Sequence, residues 1–374
     1  MKKLCYLAVG LLLPVQLLAQ SVNARFSTSF YSWERNLTES QSQSYVRIYQ
    51  TAQATVGQLA SNRLSFHLYG LLSQDLSESA DDDPISRLYN AYFQWRQSSG
   101  VVQQIKLGRQ RIYSGVAYGT IDGIDATFKI GKWARIGGFA GFLVPASNEI
   151  EVADWDNSHA FGVRASTNDL FGAKAMVSFM QRDRRPVAYN APGRYTQTVR
   201  TFESLEQRLL GIDLYRGFGK TLSTYGRFDY DLEQERVRRA QVELKVKPTG
   251  KWEFTGEFFH RAPLIEANSI FSVFEQNTVQ DVGLKASYKF GHRWFLTGNL
   301  GYVKYEGDET VRFGLGARFR YGYAGYNYRS GYGGQNNGVY LALNYPLTQQ
   351  LGLIASSGFS RYSLFDENAD KYTS

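Results

Sequence analysis

Along much of the chain, apolar side chains occupy every second position. Between 237 and 247, Ala, Val and Leu residues alternate with Arg, Gln, Glu and Lys. The same alternation recurs at 89–96, 282–290 and 311–320. Successive side chains of a β-strand point to opposite faces, so each segment predicts a strand with one apolar face and one polar or small face. These strands are expected to be about 10 to 13 residues long, roughly twice the usual length.

The segments between the predicted strands are alternately short and long. Short turns are predicted near 57–61, 97–101, 130–132, 167–170, 217–220, 247–251, 290–292, 321–323 and 346–350. Longer polar segments are predicted at 34–44, 76–86, 113–120, 145–157, 183–205, 231–235, 263–277, 306–309 and 331–337. Tight turns at one end and longer loops at the other are typical of membrane barrels, whose closed sheet leaves no unpaired edge in lipid. We therefore predict an all-β fold, a transmembrane up-and-down antiparallel β-barrel of about 18–20 strands.

The composition excludes several other classes of protein. The 374 residues include 36 Gly, 26 Tyr and 24 Phe, and the mean hydropathy is -0.36. After residue 20, no apolar run is long enough for a membrane-spanning helix. The aromatic content is too high for a disordered chain. Trp95, Trp133, Trp252 and Trp294 lie beside predicted turns, as in the aromatic girdles of membrane barrels.

Residues 1–19 are predicted to be a signal peptide. Lys2 and Lys3 precede an apolar segment at 4–13, and Ala19 ends a small-residue cleavage site. We expect cleavage of this segment and one barrel domain at 20–374, in the outer membrane of a Gram-negative bacterium. Cys5 is the single cysteine and lies in the signal peptide, so no disulfide or thiol chemistry is expected in the mature chain.

The end of the chain departs from the usual pattern of bacterial barrels. About nineteen strands can be counted, whereas such barrels normally have an even number. Residues 370–374 are polar and do not form an amphipathic strand that finishes on an aromatic residue. We therefore expect the sequence to stop before its last strand; the alternative is a miscounted hairpin.

The polar strand faces carry more basic than acidic side chains. A barrel of roughly 18 to 20 strands is too wide for side chains to fill, so these faces are expected to line an aqueous channel. Basic walls attract anions, which predicts passive, anion-leaning diffusion of small hydrophilic solutes. Alternatively, the charges pair across strands and only solvate the lumen. The predicted lumen-lining residues are Arg96, Lys106, Arg227, Arg239, Lys245, Lys285, Arg312, Arg318 and Arg320.

One stretch carries a more specific pattern. The run Gly108, Arg109, Gln110 is followed by Asp122 and Gly123. This resembles the G-R-Q strand and the D-G strand start of the outer-membrane β-barrel porin family, both general porins and the alginate-export-like group. The resemblance implies that Arg109 and Gln110 end the fifth strand and that Asp122 begins the sixth.

The resemblance also implies a role for the segment 113–120, because many porins fold the loop between these strands into the lumen as a constriction. A separate physical argument places Arg109 and Arg111. An arginine that faces lipid at mid-bilayer costs roughly 2–4 kcal/mol, so these side chains must lie at the rim or beyond a bulge.

The sequence contains no motif for catalysis or for a cofactor. It lacks a G-x-S-x-G elbow, an H-E-x-x-H helix, a dinucleotide fingerprint and a P-loop. Ser65 and His67 are the only Ser–His pair that lies two residues apart on one strand face, and we interpret it as an ordinary polar pair. We expect no cofactor, no metal site, no nucleic-acid partner and no enzymatic activity. The alternative is an outer-membrane barrel with a closed lumen and an enzymatic or surface-binding role.

The expected partners are outer-membrane lipid, lipopolysaccharide and small hydrophilic solutes, and a homotrimer is left open. The largest loop, 183–205, is rich in arginine, which binds phosphate in a bidentate way. This loop is either a solvated surface loop, a contact for lipopolysaccharide phosphates or a lid that recruits an anionic solute.

Overall fold

The computed structural model describes most of the chain. The described residues are 21–38, 41–77, 83–145, 147–152, 154–156, 158–184, 189–192, 197–200, 207–263, 278–291, 293–305, 307–331, 334–363 and 372–373. The predicted signal peptide lies outside the described residues, and so do the side chains of 185–206 in the predicted loop 183–205.

Nineteen strands of 10 to 18 residues make up most of the described chain. The first nine are β1 (Ser21–Thr38), β2 (Gln41–Gln58), β3 (Leu64–Asp75), β4 (Ile85–Arg96), β5 (Val102–Ser114), β6 (Ala117–Ile130), β7 (Ala134–Leu143), β8 (Ser158–Leu170) and β9 (Ala173–Arg184). The other ten are β12 (Gln207–Phe218), β13 (Leu222–Asp231), β14 (Arg236–Val246), β15 (Trp252–Arg261), β16 (Val279–Phe290), β17 (Trp294–Tyr305), β18 (Asp308–Phe319), β19 (Gly322–Gly331), β20 (Gln335–Pro346) and β21 (Gly352–Ser363).

Four short elements complete the described structure. Strands β10 (Tyr189–Pro192) and β11 (Gln197–Arg200) pair with each other in the largest loop. Strand β22 (Tyr372–Thr373) pairs with β21. Helix α1 (Leu59–Asn62) forms a single turn between β2 and β3.

The strands form up-and-down antiparallel meanders. From β1 to β7, each strand pairs antiparallel with the next one in the chain. The same holds from β13 to β21. The prediction of an all-β, up-and-down antiparallel fold is confirmed, and the nineteen long strands agree with the predicted 18–20.

Three predicted connections were wrong. In place of the loop 34–44, β1 continues to Thr38 and β2 begins at Gln41. In place of the loop 113–120, β5 and β6 are joined by a two-residue turn at 115–116. β8 continues through the predicted turn 167–170. Ladder hydrogen bonds join backbone groups, so polar segments pair as readily as apolar ones and polarity alone misplaces a strand end.

The chain divides into two compact units. Unit 1 comprises residues 1–166 and 177–210, and unit 2 comprises 167–176 and 211–374. Unit 1 therefore contains the meander β1–β7, and unit 2 contains the meander β13–β21. The predicted single domain 20–374 stays a prediction.

In each unit, one face of the sheet carries large apolar side chains that are exposed. In unit 1 these include Phe93, Leu107 and Ile124, and in unit 2 they include Leu284 and Leu315. A soluble sheet would cover such a face with a second layer. Within the described residues, no helix is both long and apolar enough to cross a membrane.

Candidate functional site: the polar sheet faces and the β5–β6 hairpin

The strand registers of unit 2 place most of the predicted lumen residues on one face, called here the polar face. Directly opposed residues of antiparallel strands share a face. Asp229 is opposite Arg239, and Thr255 is opposite Lys285. The polar face of unit 2 carries Arg227, Arg239, Lys245, Arg261, Lys285, Lys289, Arg312, Arg318 and Arg329 as well as Asp229, Glu243, Glu253, Glu257 and Asp281.

Arg320 does not lie on this face within a strand. β18 ends at Phe319, and Arg320 lies in the turn that follows, with its guanidinium 4.6 Å from the ring centre of Tyr321. The strand assigned to Arg320 from the sequence was therefore too long by one residue, because the alternation of side chains continues into the turn.

Several cations of the polar face are paired with carboxylates. Arg312 donates two hydrogen bonds of 2.6 Å to the Asp281 carboxylate. Arg227 donates to Asp229 at 3.0 Å and lies 3.8 Å from Asp213. These pairs lower the net positive charge of the face, as the alternative interpretation of the sequence proposed. The remaining cations still outnumber the acidic groups.

A cavity of about 610 Å³ lies along this face in unit 2. Its described wall includes three cations, Lys285, Arg312 and Arg329, and one carboxylate, Glu257. Asn299, Asn327 and Asn336 contribute amide groups. Cationic and amide groups that line one groove can exchange hydrogen bonds with a hydrated solute. This wall is suited to transient contacts with polar molecules.

In unit 1, Lys106 lies on the equivalent polar face. It is opposite Gln94 and Asp125, and its Nζ lies 5.3 Å from the ring centre of Tyr92. Arg164 donates to the Asp125 carboxylate at 2.8 Å. Arg96 is the last residue of β4 and is opposite Gln104 on the same face as Lys106.

The hairpin of β5 and β6 departs from the neighbouring strands. β5 pairs with β4 only as far as Arg109, and β6 pairs with β7 only from Ile121 onward. Beyond these points β5 and β6 still pair with each other, to Ser114 opposite Ala117. Residues 110–120 therefore form a two-stranded ribbon outside the strand ladders to β4 and β7. Residues 112–118 are called here the hairpin tip.

The hairpin tip packs onto the polar face of unit 1. Ile112 and Ala117 belong to a buried apolar cluster, and Met180 in this cluster is 0% exposed. The other members come from the turn and from β6, β7, β8 and β12, namely Val116, Ile121, Phe139, Leu143, Ala160 and Leu209. Tyr113 points away from the cluster and is 84% exposed. The polar face is therefore covered by chain at this place.

Two hydrogen bonds hold the hairpin tip to β9 and β12. The backbone N–H of Val116 donates to Ser178 Oγ at 3.1 Å. The hydroxyl of Tyr118 donates to Gln207 Oε1 at 2.8 Å. The Arg182 guanidinium lies 5.5 Å from the Tyr118 ring centre. These contacts, together with the apolar cluster, fix the position of the tip over the polar face.

Arg109 lies at the base of the ribbon and is 4% exposed. Its Nε and Nη2 donate to the two carboxylate oxygens of Asp122 at 2.8 and 2.7 Å. Nη1 donates to the carbonyls of Leu88 and Glu149, and Nη2 also donates to that of Glu151. A guanidinium has five N–H donors, so every donor of this buried cation has an acceptor.

The segment after β7 lies beside β4, in the place that β5 leaves. The backbone N–H of Leu88 donates to the Asn148 carbonyl at 2.7 Å. The carbonyls of Glu149 and Glu151 accept hydrogen bonds from Arg109. Residues 147–151 thus supply backbone partners where the ladder between β4 and β5 has ended.

Gly108 lies where β5 leaves β4. Its φ is +121°, and a Cβ here would lie 2.3 Å from the Ala91 carbonyl oxygen. No residue with a side chain fits such a position without strain. Gln110 is 0% exposed and donates to the Gly123 carbonyl at 3.2 Å. Both residues therefore support the bend of the hairpin.

The motif singled out in the sequence thus forms the base of the bent hairpin. Arg109 and Asp122 are directly opposite each other, as are Gly108 and Gly123. The expectation that Arg109 and Gln110 end the fifth strand was wrong, because β5 continues to Ser114. The expectation that Asp122 begins the sixth strand was also wrong, because β6 begins at Ala117.

Ser65 and His67 lie among polar and aromatic neighbours on the polar face of unit 1. Ser65 Oγ is 3.0 Å from His67 Nε2, and Thr55 Oγ1 is 3.4 Å from Nδ1. The imidazole also stacks on Tyr92 at 4.8 Å between ring centres. The partner of His67 Nδ1 is thus the Thr55 hydroxyl, whereas in a Ser-His-Asp triad it is a carboxylate.

Comparisons with known proteins give no family for this chain. No protein-family model matches it, and no curated protein matches it. Among solved structures, it is similar to OprB of Pseudomonas putida at high pH, with 10% identity, a TM-score of 0.42 and coverage of 86% of this chain and 96% of that one. A BenF-like porin from Pseudomonas fluorescens Pf-5 has 11% identity, a TM-score of 0.39 and coverage of 95% and 97%. OpdO of Pseudomonas aeruginosa has 9% identity, a TM-score of 0.43 and coverage of 92% and 98%. With scores below 0.5, the fold assignment rests on the strand registers described above.

Proposed function

We propose that this chain forms a closed barrel in the outer membrane of a Gram-negative bacterium and passes small hydrophilic solutes through its lumen. The observation that carries the proposal is the division of each sheet into an exposed apolar face and a charged polar face. Val242, Leu244 and Leu284 are exposed on the apolar face, while Glu243 and Lys245 alternate with them on the polar face. The apolar face is suited to contact with lipid, and the polar face is suited to contact with water.

Closure of the sheet follows from the properties of the bilayer. Edge N–H and C=O groups left unpaired in hydrocarbon cost several kcal/mol each, so a spanning sheet must close. With about nineteen strands, the enclosed space is wider than side chains can fill. The hairpin tip, packed on the polar face, would narrow this space locally. A homotrimer stays a prediction.

We further propose that the channel prefers anions. On the polar face of unit 2, Arg239, Lys285 and Arg318 face the same side as the paired Arg312. Unbalanced positive charge along a water-filled wall raises the local concentration of anions. The preference is expected to be weak, because the Arg312–Asp281 and Arg227–Asp229 pairs contribute no net charge.

Planar-bilayer recording of the purified protein tests both proposals. Stable single-channel currents are expected, and a folded protein without currents would refute the channel. In a salt gradient, the triple variant Arg239→Gln, Lys285→Gln, Arg318→Gln should lower the anion-to-cation permeability ratio roughly twofold. The control is Arg312→Gln with Asp281→Asn, which removes a pair without a net change of charge. An equal shift in both variants would contradict the anion preference.

A further inference from the structure

Four lysines lie together at one end of unit 2, where three consecutive short turns are located. Lys220 is in the turn between β12 and β13, Lys247 and Lys251 flank the turn between β14 and β15, and Lys289 is near the end of β16. In an antiparallel meander, alternate connections lie at the same end of the sheet, so these turns are neighbours.

Backbone hydrogen bonds hold the three turns side by side. The N–H of Lys247 donates to the Thr221 carbonyl at 2.6 Å, and the N–H of Lys289 donates to the Lys251 carbonyl at 2.8 Å. The lysine stems therefore start from fixed and adjacent points. Flexible ammonium groups on such a frame can converge on one ligand without a backbone change.

The four lysines line one cavity of about 620 Å³, called here the lysine pocket. Thr221, Thr249 and Ser287 also line it, and Phe295 adds apolar wall. This volume is within the range of small-molecule sites.

The charges of the lysine pocket do not balance. Glu253 is the one carboxylate in the described lining, and it binds Lys247 Nζ at 2.9 Å. It also lies 3.8 Å from Lys245, outside the lining. Lys289 Nζ lies 5.9 Å from the Phe295 ring centre. A single carboxylate thus faces four ammonium groups, which leaves an excess of positive charge inside a partly enclosed volume. Such a site favours an anion with more than one negative charge.

We propose that the lysine pocket binds the phosphate group of a small phosphate-bearing anion. This inference rests on the proposed channel, for which it names a class of solute. Ammonium groups bind phosphate as point charges, and the threonine and serine hydroxyls can donate further hydrogen bonds to its oxygens. Phe295, which is opposite Lys289 on the polar face, offers apolar contact to the organic part of such a solute.

Phosphate could come from a soluble anion or from a lipid headgroup, and the position of the lysines favours the soluble one. Residues an even number of positions apart on a strand share a face. Lys247 and Lys289 are therefore on the side of Lys245 and Lys285, which are polar-face residues. Lys251 is two positions before the polar-face residue Glu253, so it belongs to the same face. The apolar face, which lipid would contact, is on the other side of these strands.

Isothermal titration of the detergent-solubilised full chain with inorganic pyrophosphate tests the pocket without requiring a current. Saturable binding is expected, and Lys220→Gln with Lys251→Gln should weaken it at least about tenfold, since each lysine contributes a charge-assisted contact. The control, Lys132→Gln with Lys174→Gln, removes two lysines of unit 1 and unit 2 that lie outside the pocket.

The outcomes separate the possible sources of phosphate. No binding, or equal weakening by both double variants, would overturn the proposal. Competition by phosphatidylglycerol vesicles would assign the pocket to lipid headgroups and overturn the soluble ligand. Binding without such competition supports the proposal even if the bilayer recording shows no channel, so failure of the channel and failure of the pocket are told apart.

Discussion

The polar faces of the two units are built from the same alternating strands but are used differently. In unit 1, the hairpin tip covers part of the face and buries Ile112 and Met180 in one apolar cluster. In unit 2, the described part of the face has a cavity whose wall includes Lys285 and Arg312. The first face is locally apolar and covered, and the second is charged and accessible.

This difference shows how one strand pattern yields two kinds of wall. A buried cation such as Arg109, 4% exposed on its side chain, requires a complete set of acceptors. A half-exposed cation such as Arg312, 47% exposed, can rely on water as well as on Asp281. The energetic importance of a residue therefore depends on the unit in which it lies.

Replacing the hairpin tip should have the largest effect. Exchange of 112–118 for a short Gly-Ser turn removes the chain that covers the polar face, so single-channel conductance should rise roughly twofold as the narrowest passage widens. The matched change in unit 2 is replacement of 232–235, which joins β13 and β14. If both replacements leave conductance at the wild-type value, the hairpin does not narrow the lumen.

Arg109→Leu should destabilise the fold far more than Arg312→Leu. Loss of Arg109 leaves the Asp122 carboxylate and three carbonyls without their donor, at a cost of about 3–5 kcal/mol. Loss of the exposed Arg312 should cost at most about 1 kcal/mol. Urea unfolding followed by tryptophan fluorescence measures both, and equal values would contradict the contrast between the units.

Gly108→Val should cost about 1–3 kcal/mol through backbone strain, and more if the bend fails to form. Its φ of +121° and the 2.3 Å approach to the Ala91 carbonyl leave no room for a side chain. Gly226→Val in unit 2 is the control, because nothing lies within 4 Å of a Cβ there. The same unfolding measurement applies, and a control as destabilised as Gly108→Val would refute this explanation.

Tyr118→Phe should have the smallest effect, near 1 kcal/mol, because it removes one hydrogen bond and keeps the ring. The loss of the bond to Gln207 should loosen the hairpin tip and increase current noise at constant mean conductance. Tyr225→Phe removes a comparable 2.9 Å bond to Asp213 in unit 2. Noise that rises equally in both variants would contradict a specific role for the tip.

The fold could be predicted from the sequence because alternation is a local property. In β14, Val242 and Leu244 alternate with Gln241 and Glu243, and the register confirms that these pairs lie on opposite faces. The number of long strands followed from the same pattern. Strand ends were less predictable, because the hydrogen bonds that define them join backbone groups of any residue.

The candidate site could be predicted only in part. Gly108, Arg109 and Asp122 were recognised as a motif, but the bend of the hairpin depends on contacts that are distant in the sequence. Val116 and Ser178 are hydrogen-bonded although they are 62 positions apart, and no local sequence pattern indicates that contact. The apolar residues at 112, 116 and 117 were a usable signal, because an apolar turn in a polar loop is unusual.

The acceptor set of Arg109 also has a consequence for the order of assembly. Its partners come from β4, from β6 and from the segment at 149–151, so the set is incomplete until the chain up to Glu151 is in place. A strand pair that forms earlier would hold a guanidinium with missing acceptors. The buried guanidinium is therefore fully paired only when β7 and the segment that follows it are in place.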